Sequence, residues 1–370
     1  MANTADTVGT DLRKRVAELT ELVWNQGDLG FADACLSPDF VGHYPGVPDL
    51  CGPAAYQKMA AELRRALPDL AIRTRALIQE GDRVVLWAEV TGTQRGELMG
   101  VPPTGLPVRR SETTMLRFEG DRIAEVWHQA DELGTLEQLG MTPPEGAGPL
   151  GQIAHTFKLM ARFAVLQVKA GRAGGAPDTV LPPTVTASGG AAAQHPAQSD
   201  GPRPELKAKA RELAARTFDE HDLTALDDLA RPDARWHLPG RPELGNDGFK
   251  ELMLHLWQAK PDLRVEILDL VSEGPYIACR VGFTGTHRGE LMGIPPTGRR
   301  VEMEEVLVQR WDDEGRLVTF HQEADYLGML GQLGVVPPRG TGPLGQLAHT
   351  FTAAARFTWL GLKARRSSGS

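Results

Sequence analysis

The stretch Arg95-Gly96-Glu97-Leu98-Met99-Gly100-Val101-Pro102-Pro103-Thr104-Gly105 occurs twice in this 370-residue chain. It returns from Arg288 to Gly298 as RGELMGIPPTG, 193 positions downstream, with Ile294 in place of Val101 as the one difference. The correspondence extends outward from that anchor. Upstream, Pro38-Asp39-Phe40-Val41-Gly42-His43 answers Pro232-Asp233-Ala234-Arg235-Trp236-His237, and downstream the segment Leu133 to Phe163 answers Leu327 to Phe357. A repeat of this length is a whole domain, far above the roughly 20 to 50 residues of a solenoid unit. The chain is therefore read as two domains of one fold, residues 1–170 and 205–370, joined by a linker over 171–204. That linker is Gly, Ala, Pro and Ser with few large apolar residues, a composition that buries too little surface to offset its ordering entropy. His195 lies in it and is read as solvated.

Composition removes several classes of function. A hydrophobic fraction of 41% with 24% charged residues is globular. The formal net charge of −8 is opposite in sign to a nucleic-acid binder. The N-terminal segment lacks the apolar core of a signal peptide, and no apolar run reaches the roughly 18 residues that span a bilayer, so a cytoplasmic protein without membrane contact is expected. The three cysteines, Cys35, Cys51 and Cys279, form no CxxC pair and have no His at ligand spacing, so no metal is expected.

Each half reads as helices first and strands after. In the first, helical patterns cover 12–24 and 53–67, and strands cover 71–79, 83–93, 108–118 and 122–130. The second repeats this with helices over 206–218 and 246–259 and strands over 263–271, 276–286, 301–311 and 316–324. That order predicts an α+β class, with a curved antiparallel sheet closed by helices into a cone-shaped barrel. Apolar helices with basic residues are expected over 150–168 and 344–362, packing against the sister domain or a second subunit. The two domains are expected to associate as a pseudo-dimer, with further oligomerisation open.

Strand alternation sorts the candidate site. Glu125, Trp127, Gln129 and Asp131 share one face of the last strand, and His321, Glu323 and Asp325 share the matching face in the second half. His128 is expected to face the other way, in a structural role. A desolvated Asp131 or Asp325 would have a raised pKa suited to proton transfer. Each also precedes a short helical pattern, where Asp is a favoured N-cap, and periodicity leaves both readings open. His43 with His237, and His287 with its counterpart Gln94, occupy matching positions from which they could hold a carbonyl oxygen or return a proton. Met99, Met292, Tyr44 and Trp236 are expected substrate contacts beside Trp127, Gln94, Gln129 and Glu323. His155 and His349 are read as structural. Phosphate-loop, HExxH, GxSxG and dinucleotide signatures are absent from the sequence, so cofactor-free acid–base chemistry or plain binding is expected.

The helix ending in NQGDLG, the PDF..H strand, the Pro68-Asp69-Leu70 turn, GELMG[VI]PPTG, and Glu125-Val126-Trp127 leading to Asp131-Glu132-Leu133-Gly134 and Gln138-Leu139-Gly140 together resemble the SnoaL-like polyketide cyclases of the nuclear transport factor 2-like superfamily. The resemblance covers almost all of each half outside the linker and final helices. It implies a cone-shaped α+β barrel and closure of a polyketide ring by intramolecular aldol condensation without metal or cofactor, with the acid–base carboxylate on Asp131 and, by position, Asp325. The family's Trp is kept as Trp127 and replaced by His321, and its His before the loop is kept as His287 and replaced by Gln94. An apolar, polycyclic or polyketide substrate is the implied partner. The alternatives are a binding protein for an apolar metabolite, or a hydroxylase-associated or epoxide-opening member of the superfamily. The richer set of titratable groups predicts more chemistry in the second half.

Overall fold

The computed structural model describes residues 11–141 and 201–336, together with Thr352 and Arg356. The expected terminal helices, with His155 and His349, fall outside the described residues apart from Thr352 and Arg356, as does most of the linker with His195. Among the described residues no helix is long and apolar enough to cross a membrane.

Helix α1 (Leu12–Leu19) buries Leu12, Val16 and Leu19, one stripe at helical spacing. It continues as a wider π-type turn to Gln26 and stops at Gly27, whose φ of +84° suits a residue without a Cβ. After α2 (Ala32–Cys35) and strand β1 (Leu36–His43) comes the short β2 (Leu50–Cys51). Helix α3 (Gly52–Ala66) opens with Pro53 in its first turn and buries Tyr56 and Ala60. Strands β3 (Ala71–Glu80), β4 (Arg83–Thr93), β5 (Pro107–Glu119) and β6 (Arg122–Ala130) then form an antiparallel meander, followed by α4 (Glu132–Gln138). The second domain repeats the plan with α5 (Pro204–Ala214), α6 (Ala225–Leu229), β7 (Ala230–His237), α7 (Asn246–Ala259), β8 (Arg264–Glu273), β9 (Tyr276–Thr286), β10 (Arg300–Trp311), β11 (Leu317–Ala324) and α8 (Tyr326–Leu333).

The two sheets have the orders β2-β1-β6-β5-β4-β3 and β7-β11-β10-β9-β8. One expectation is corrected here: the sheets are not wholly antiparallel, because β1 pairs parallel to β6 and β7 parallel to β11. The chain passes from β1 to β6 through β2, α3 and the β3–β5 meander, a connection long enough for parallel pairing. The terminal strands of each sheet do not pair with each other, so each domain is an α+β cone formed by an open sheet around helices, not a closed barrel. Register shifts in β3/β4 and β5/β6 bend the sheet.

Each sheet packs on its helices with one face and, over part of the other, on the sister sheet. Val84, Leu86, Ala88 and Val90 of β4 point to the helices and join the first core. The register carries that inward face to Leu116, Thr114, Glu112 and Arg110 on β5 and to Val126, His128 and Ala130 on β6. The alternate residues Ile78, Val85 and Met115, with Trp87 and Trp127 against them, pack on Val271, Ala278 and Val308 of the second domain. The contacts at this junction are reciprocal. Glu80 accepts from the backbone N–H of Ser272 (2.8 Å) and pairs with Lys207, while Glu273 accepts from the N–H of Gln79 (2.8 Å) and pairs with Arg13 (2.6 Å). Arg280 sits over Trp127, 4.4 Å from its ring centre, and at the matching place Trp87 meets His321 at 4.2 Å.

The repeated loop closes each cone with a two-residue turn. Leu98 and Val101 exchange backbone hydrogen bonds of 3.1 and 2.8 Å, and Leu291 and Ile294 exchange bonds of 3.1 and 2.9 Å. Met99 and Met292 both have φ of 53°, followed by Gly100 at 77° and Gly293 at 74°, the left-handed pair of a type I′ turn. Left-handed backbone costs a non-glycine residue roughly 1 to 2 kcal/mol. Met292 is 44% exposed, so little apolar burial offsets that cost. Met292→Asn should therefore stabilise the protein by about 0.5–1 kcal/mol, because Asn tolerates this conformation. The check is a raised denaturant midpoint with an unchanged m-value; a lowered midpoint would show that the Met side chain holds the turn.

Candidate active site

The face expected to line the cone is the one turned to the sister domain. Trp127 and Gln129 pair with Met115 and Thr113 on the outward side of the first sheet, and His321 and Glu323 pair with Val308 and Val306 on the outward side of the second. His43 and His237 share this side: the His43 ring lies over Trp127 at 5.6 Å, and the His237 ring stacks on His321 at 4.2 Å. His43 Nδ1 meets Asp49 (2.9 Å) and Nε2 meets Glu125 (3.0 Å). Partial burial lowers the His43 pKa, but the bonds to Glu125 and Asp49 outweigh it and leave it raised. His321 is driven down to about 3 by burial and by His237, so it is neutral. Two buried faces explain the misplacement: alternation separates two sets of residues, and either could have lined the cone.

The loop-side candidates are ties. Gln94 Nε2 donates to the carbonyls of Val101 (2.8 Å) and Pro102 (3.2 Å), and its Oε1 accepts from Thr104. His287 Nδ1 bonds the Thr297 hydroxyl at 3.0 Å and accepts from the Thr297 N–H at 3.3 Å. Each thus fastens its RGELMG[VI]PPTG loop to the end of a strand. Trp236 is 1% exposed inside the second core, stacked on Phe249 at 3.8 Å and tilted against Phe320 at 4.8 Å. Met99 packs on the first core. Of the expected substrate contacts, Tyr44 alone reaches the polar interior of a cone.

That interior belongs to residues that sequence reasoning passed over. In the first domain His128 Nδ1 bonds the Thr114 hydroxyl at 2.9 Å, its Nε2 lies 4.0 Å from Glu112, and Arg110 lies 3.5 Å from the same Glu112 oxygen. The Tyr44 ring tilts over His128 at 5.0 Å. Beneath them Trp24 Nε1 donates to the Tyr56 hydroxyl at 2.7 Å. Burial raises the Glu112 pKa against the pull of Arg110. Burial, reinforced by Arg110, lowers that of His128 to about 3. The signal was an acid at the same place in both copies, Glu112 and Glu305, on the strand face that also carries Val108 and Leu116.

Asp131 and Asp325 stand one residue past the last strand, and both cap the helix that follows. Asp131 Oδ1 accepts from the Gly134 N–H at 2.7 Å and Asp325 Oδ1 from the Gly328 N–H at 2.6 Å. A Cβ on Gly134 or Gly328 would overlap the capping carboxylate, which accounts for Asp-x-x-Gly in both copies. Burial raises the pKa of Asp131 even though the Gly134 N–H, Arg110 and the Gly240 N–H of the second domain oppose it. Arg110 thus links Asp131 electrostatically to Glu112 and His128. Among the described residues no group of His, Cys, Asp and Glu is arranged to hold a metal ion.

The model of the SnoaL-like polyketide cyclases matches residues 14–139 and again 208–333. The chain belongs to that family. It carries the family domain twice, in tandem. Over 133 residues it is 29% identical to the aklanonic acid methyl ester cyclase DnrD of Streptomyces peucetius, covering 33% of this chain and 89% of that protein. Over 73 residues it is 34% identical to the nogalonic acid methyl ester cyclase of Streptomyces nogalater, covering 20% of this chain and 54% of that one. The solved structure of TsrD from Streptomyces laurentii aligns over 36% of this chain and 98% of its own, with 27% identity and a TM-score of 0.34.

The buried acids of this SnoaL-like protein make its stability depend on pH. Burial pushes Glu323 to about 8, with the Ser111 hydroxyl opposing and Asp131 and Glu112 adding to the shift. Glu305 is also pushed to about 8 by burial, against Gln322 and Lys260. Between the ordinary carboxylate value of about 4.3 and about 8 the folded state holds protons that the unfolded chain has released, so raising the pH through that window lowers stability. The melting temperature should fall from mildly acidic to mildly alkaline pH, and Glu323→Gln should flatten that slope. A slope unchanged by the substitution would show that Glu323 is not the protonated acid.

Proposed function

We propose that the first cone closes a ring in a polyketide ester by cofactor-independent aldol chemistry, and that the second domain mainly supports it. The observation that carries this reading is the polar interior of Arg110, Glu112, Thr114 and His128 under Tyr44, adjoining Asp131, in a cone whose counterpart is filled by Trp236. The named relatives, methyl ester cyclases of aklanonic and nogalonic acid, support the substrate class. The fuller titratable set on the second sheet does not serve this chemistry, because it lies against the sister domain. The reciprocal junction is read as a built-in pseudo-dimer that covers the outward face of the catalytic sheet.

In this mechanism the Asp131 carboxylate, whose basicity burial raises while the Gly134 N–H and Arg110 oppose it, removes a proton from carbon flanked by carbonyls. The enolate carbon attacks a ketone of the same molecule, a C–C bond forms, and the carbonyl electron pair moves to its oxygen. Arg110 and the Tyr44 hydroxyl stabilise the oxyanions, a contribution of about 3 kcal/mol for one well-placed donor. Glu112, whose pKa burial raises, returns a proton to the alkoxide by way of His128 Nε2. Folding the flexible chain against Trp24 and Tyr56 supplies proximity.

Asp131→Asn should keep the fold, because Asn caps a helix as well as Asp, and should reduce turnover of a poly-β-keto methyl ester at least about a hundredfold. Asp325→Asn should leave turnover within about threefold, the ordinary scatter of single substitutions. Turnover that survives in the first variant and is lost in the second would move the chemistry to the second domain. Ligand capture without turnover by the unaltered protein would instead make it a binding protein.

A further inference from the structure

One residue of β5 joins the sheet face that meets the sister domain to the strand end that carries Asp131. The Ser111 hydroxyl points outward and accepts from Trp87 Nε1 of β4 at 3.2 Å. Its carbonyl accepts from the Asp131 N–H at 3.3 Å, at the point where β6 gives way to α4. The Trp87 ring lies against His321 of the second domain, 4.2 Å between ring centres, and the parallel ring of His237 backs His321 at 4.2 Å. A continuous path of ring contacts and hydrogen bonds therefore runs from β7 and β11 to the main chain of Asp131. A second-domain acid meets the same hydroxyl: burial raises the Glu323 pKa and Ser111 opposes it.

The turn after Asp131 is gripped as well. Leu133 packs against the second-domain cluster of Met329, Leu330 and Leu333. A Cβ on Gly240, in the loop after β7, would stand 3.9 Å from Leu133 Cδ2. The reciprocal arm is built differently. The counterparts of Trp87 and Ser111 are Arg280 and Glu304, 193 positions on. Arg280 donates to Glu304 at 3.0 Å and lies 4.4 Å from the ring centre of Trp127. That arm is ionic, and it belongs to the half whose Asp325 the proposed mechanism does not use.

We infer that His321, Trp87 and Ser111 are positioning residues for the first cone, through which the second domain sets where the Asp131 carboxylate stands. The inference rests on the reading of Asp131 as the base. The Asp131 side chain is already fixed on its own backbone by the 2.7 Å bond from the Gly134 N–H. A shift of the main chain at Ser111 and Asp131 is therefore a shift of the carboxylate. Misplacing a reacting group by about 1 Å costs on the order of a hundredfold in rate, so deleting one bond of the path while its rings stay packed should cost about tenfold. These three side chains face the junction and not the substrate. Their loss should lower kcat and leave KM nearly unchanged.

The test measures kcat and KM of the full chain with a poly-β-keto methyl ester, well below the melting temperature of every variant. Trp87→Phe keeps a ring against His321 and removes the N–H, and Ser111→Ala removes its acceptor. Each should lower kcat about tenfold with KM within about twofold. The double variant should be no slower than either single one, because both delete the same bond. Ser111→Thr, which keeps the hydroxyl, should restore the rate lost in the Ala variant. His321→Ala should reproduce the loss from the second domain. Arg280→Gln breaks the reciprocal arm and should lower the melting temperature while leaving kcat within about threefold. Wild-type kcat in both Trp87→Phe and His321→Ala would overturn the inference. Equal losses of kcat in Arg280→Gln and Trp87→Phe would do the same, since the junction would then act through overall stability alone. Asp131→Asn tells two failures apart: full turnover there removes the base assignment and the inference with it, whereas an inactive Asp131→Asn beside an unimpaired Trp87→Phe removes the inference alone.

Discussion

Face-to-face packing of the two sheets is the constraint on which the rest of the molecule depends. Each sheet packs one face on its own helices and part of the other on the sister sheet, so the buried strand side chains point either into a cone or into the junction. Apolar contacts among Ile78, Val85, Met115, Val271, Ala278 and Val308 supply the attraction. The reciprocal acids fix the register: Glu80 and Glu273 each accept a backbone N–H from the opposite β-edge and are neutralised by a base from the opposite first helix. Hydrogen bonds to charged groups are worth roughly 1.5–3 kcal/mol when well formed, and a sideways slip would break both together.

Divergence between the halves is concentrated inside the cones. Gly42 in the first becomes Trp236 in the second. A side chain at position 42 would meet the rings of Tyr44 and Phe40, so glycine there lets Tyr44 lie over His128. In the second domain the indole occupies that space, donates to Asn246 Oδ1 at 2.9 Å and stacks between Phe249 and Phe320. The first cone holds Arg110, Glu112, Thr114 and His128 on its floor, whereas the second holds Glu305 and Gln322 beside a close-packed aromatic core.

The acid at Glu112 and Glu305 persists in both, with different partners. Arg110 and His128 face Glu112, whereas Gln322 and Lys260 face Glu305. A buried carboxyl group is costly unless it is hydrogen-bonded or protonated. It stands in both copies with a nearby base, although an apolar residue would pack there at lower cost.

The sequence by itself determined the tandem organisation and the order of helices and strands, and offered Asp131 and Asp325 as N-caps without deciding it, because these rest on local periodicity and on residues close in the chain. Strands β4 and β6, β9 and helix α7 begin and end where the alternation and helical spacing put them. Tertiary structure decided which strand face lines each cone. Alternation of period two is symmetric under exchange of faces, and with both faces buried no polar stripe breaks that symmetry. So His128 lies inside while Trp127, His43, His321 and Glu323 meet the sister domain. Pairing of β1 beside β6, far apart in the chain, was equally beyond local reading. So were the bonds by which Gln94 and His287 tie down the repeated loop, which depend on carbonyls and hydroxyls that only the folded loop brings to them.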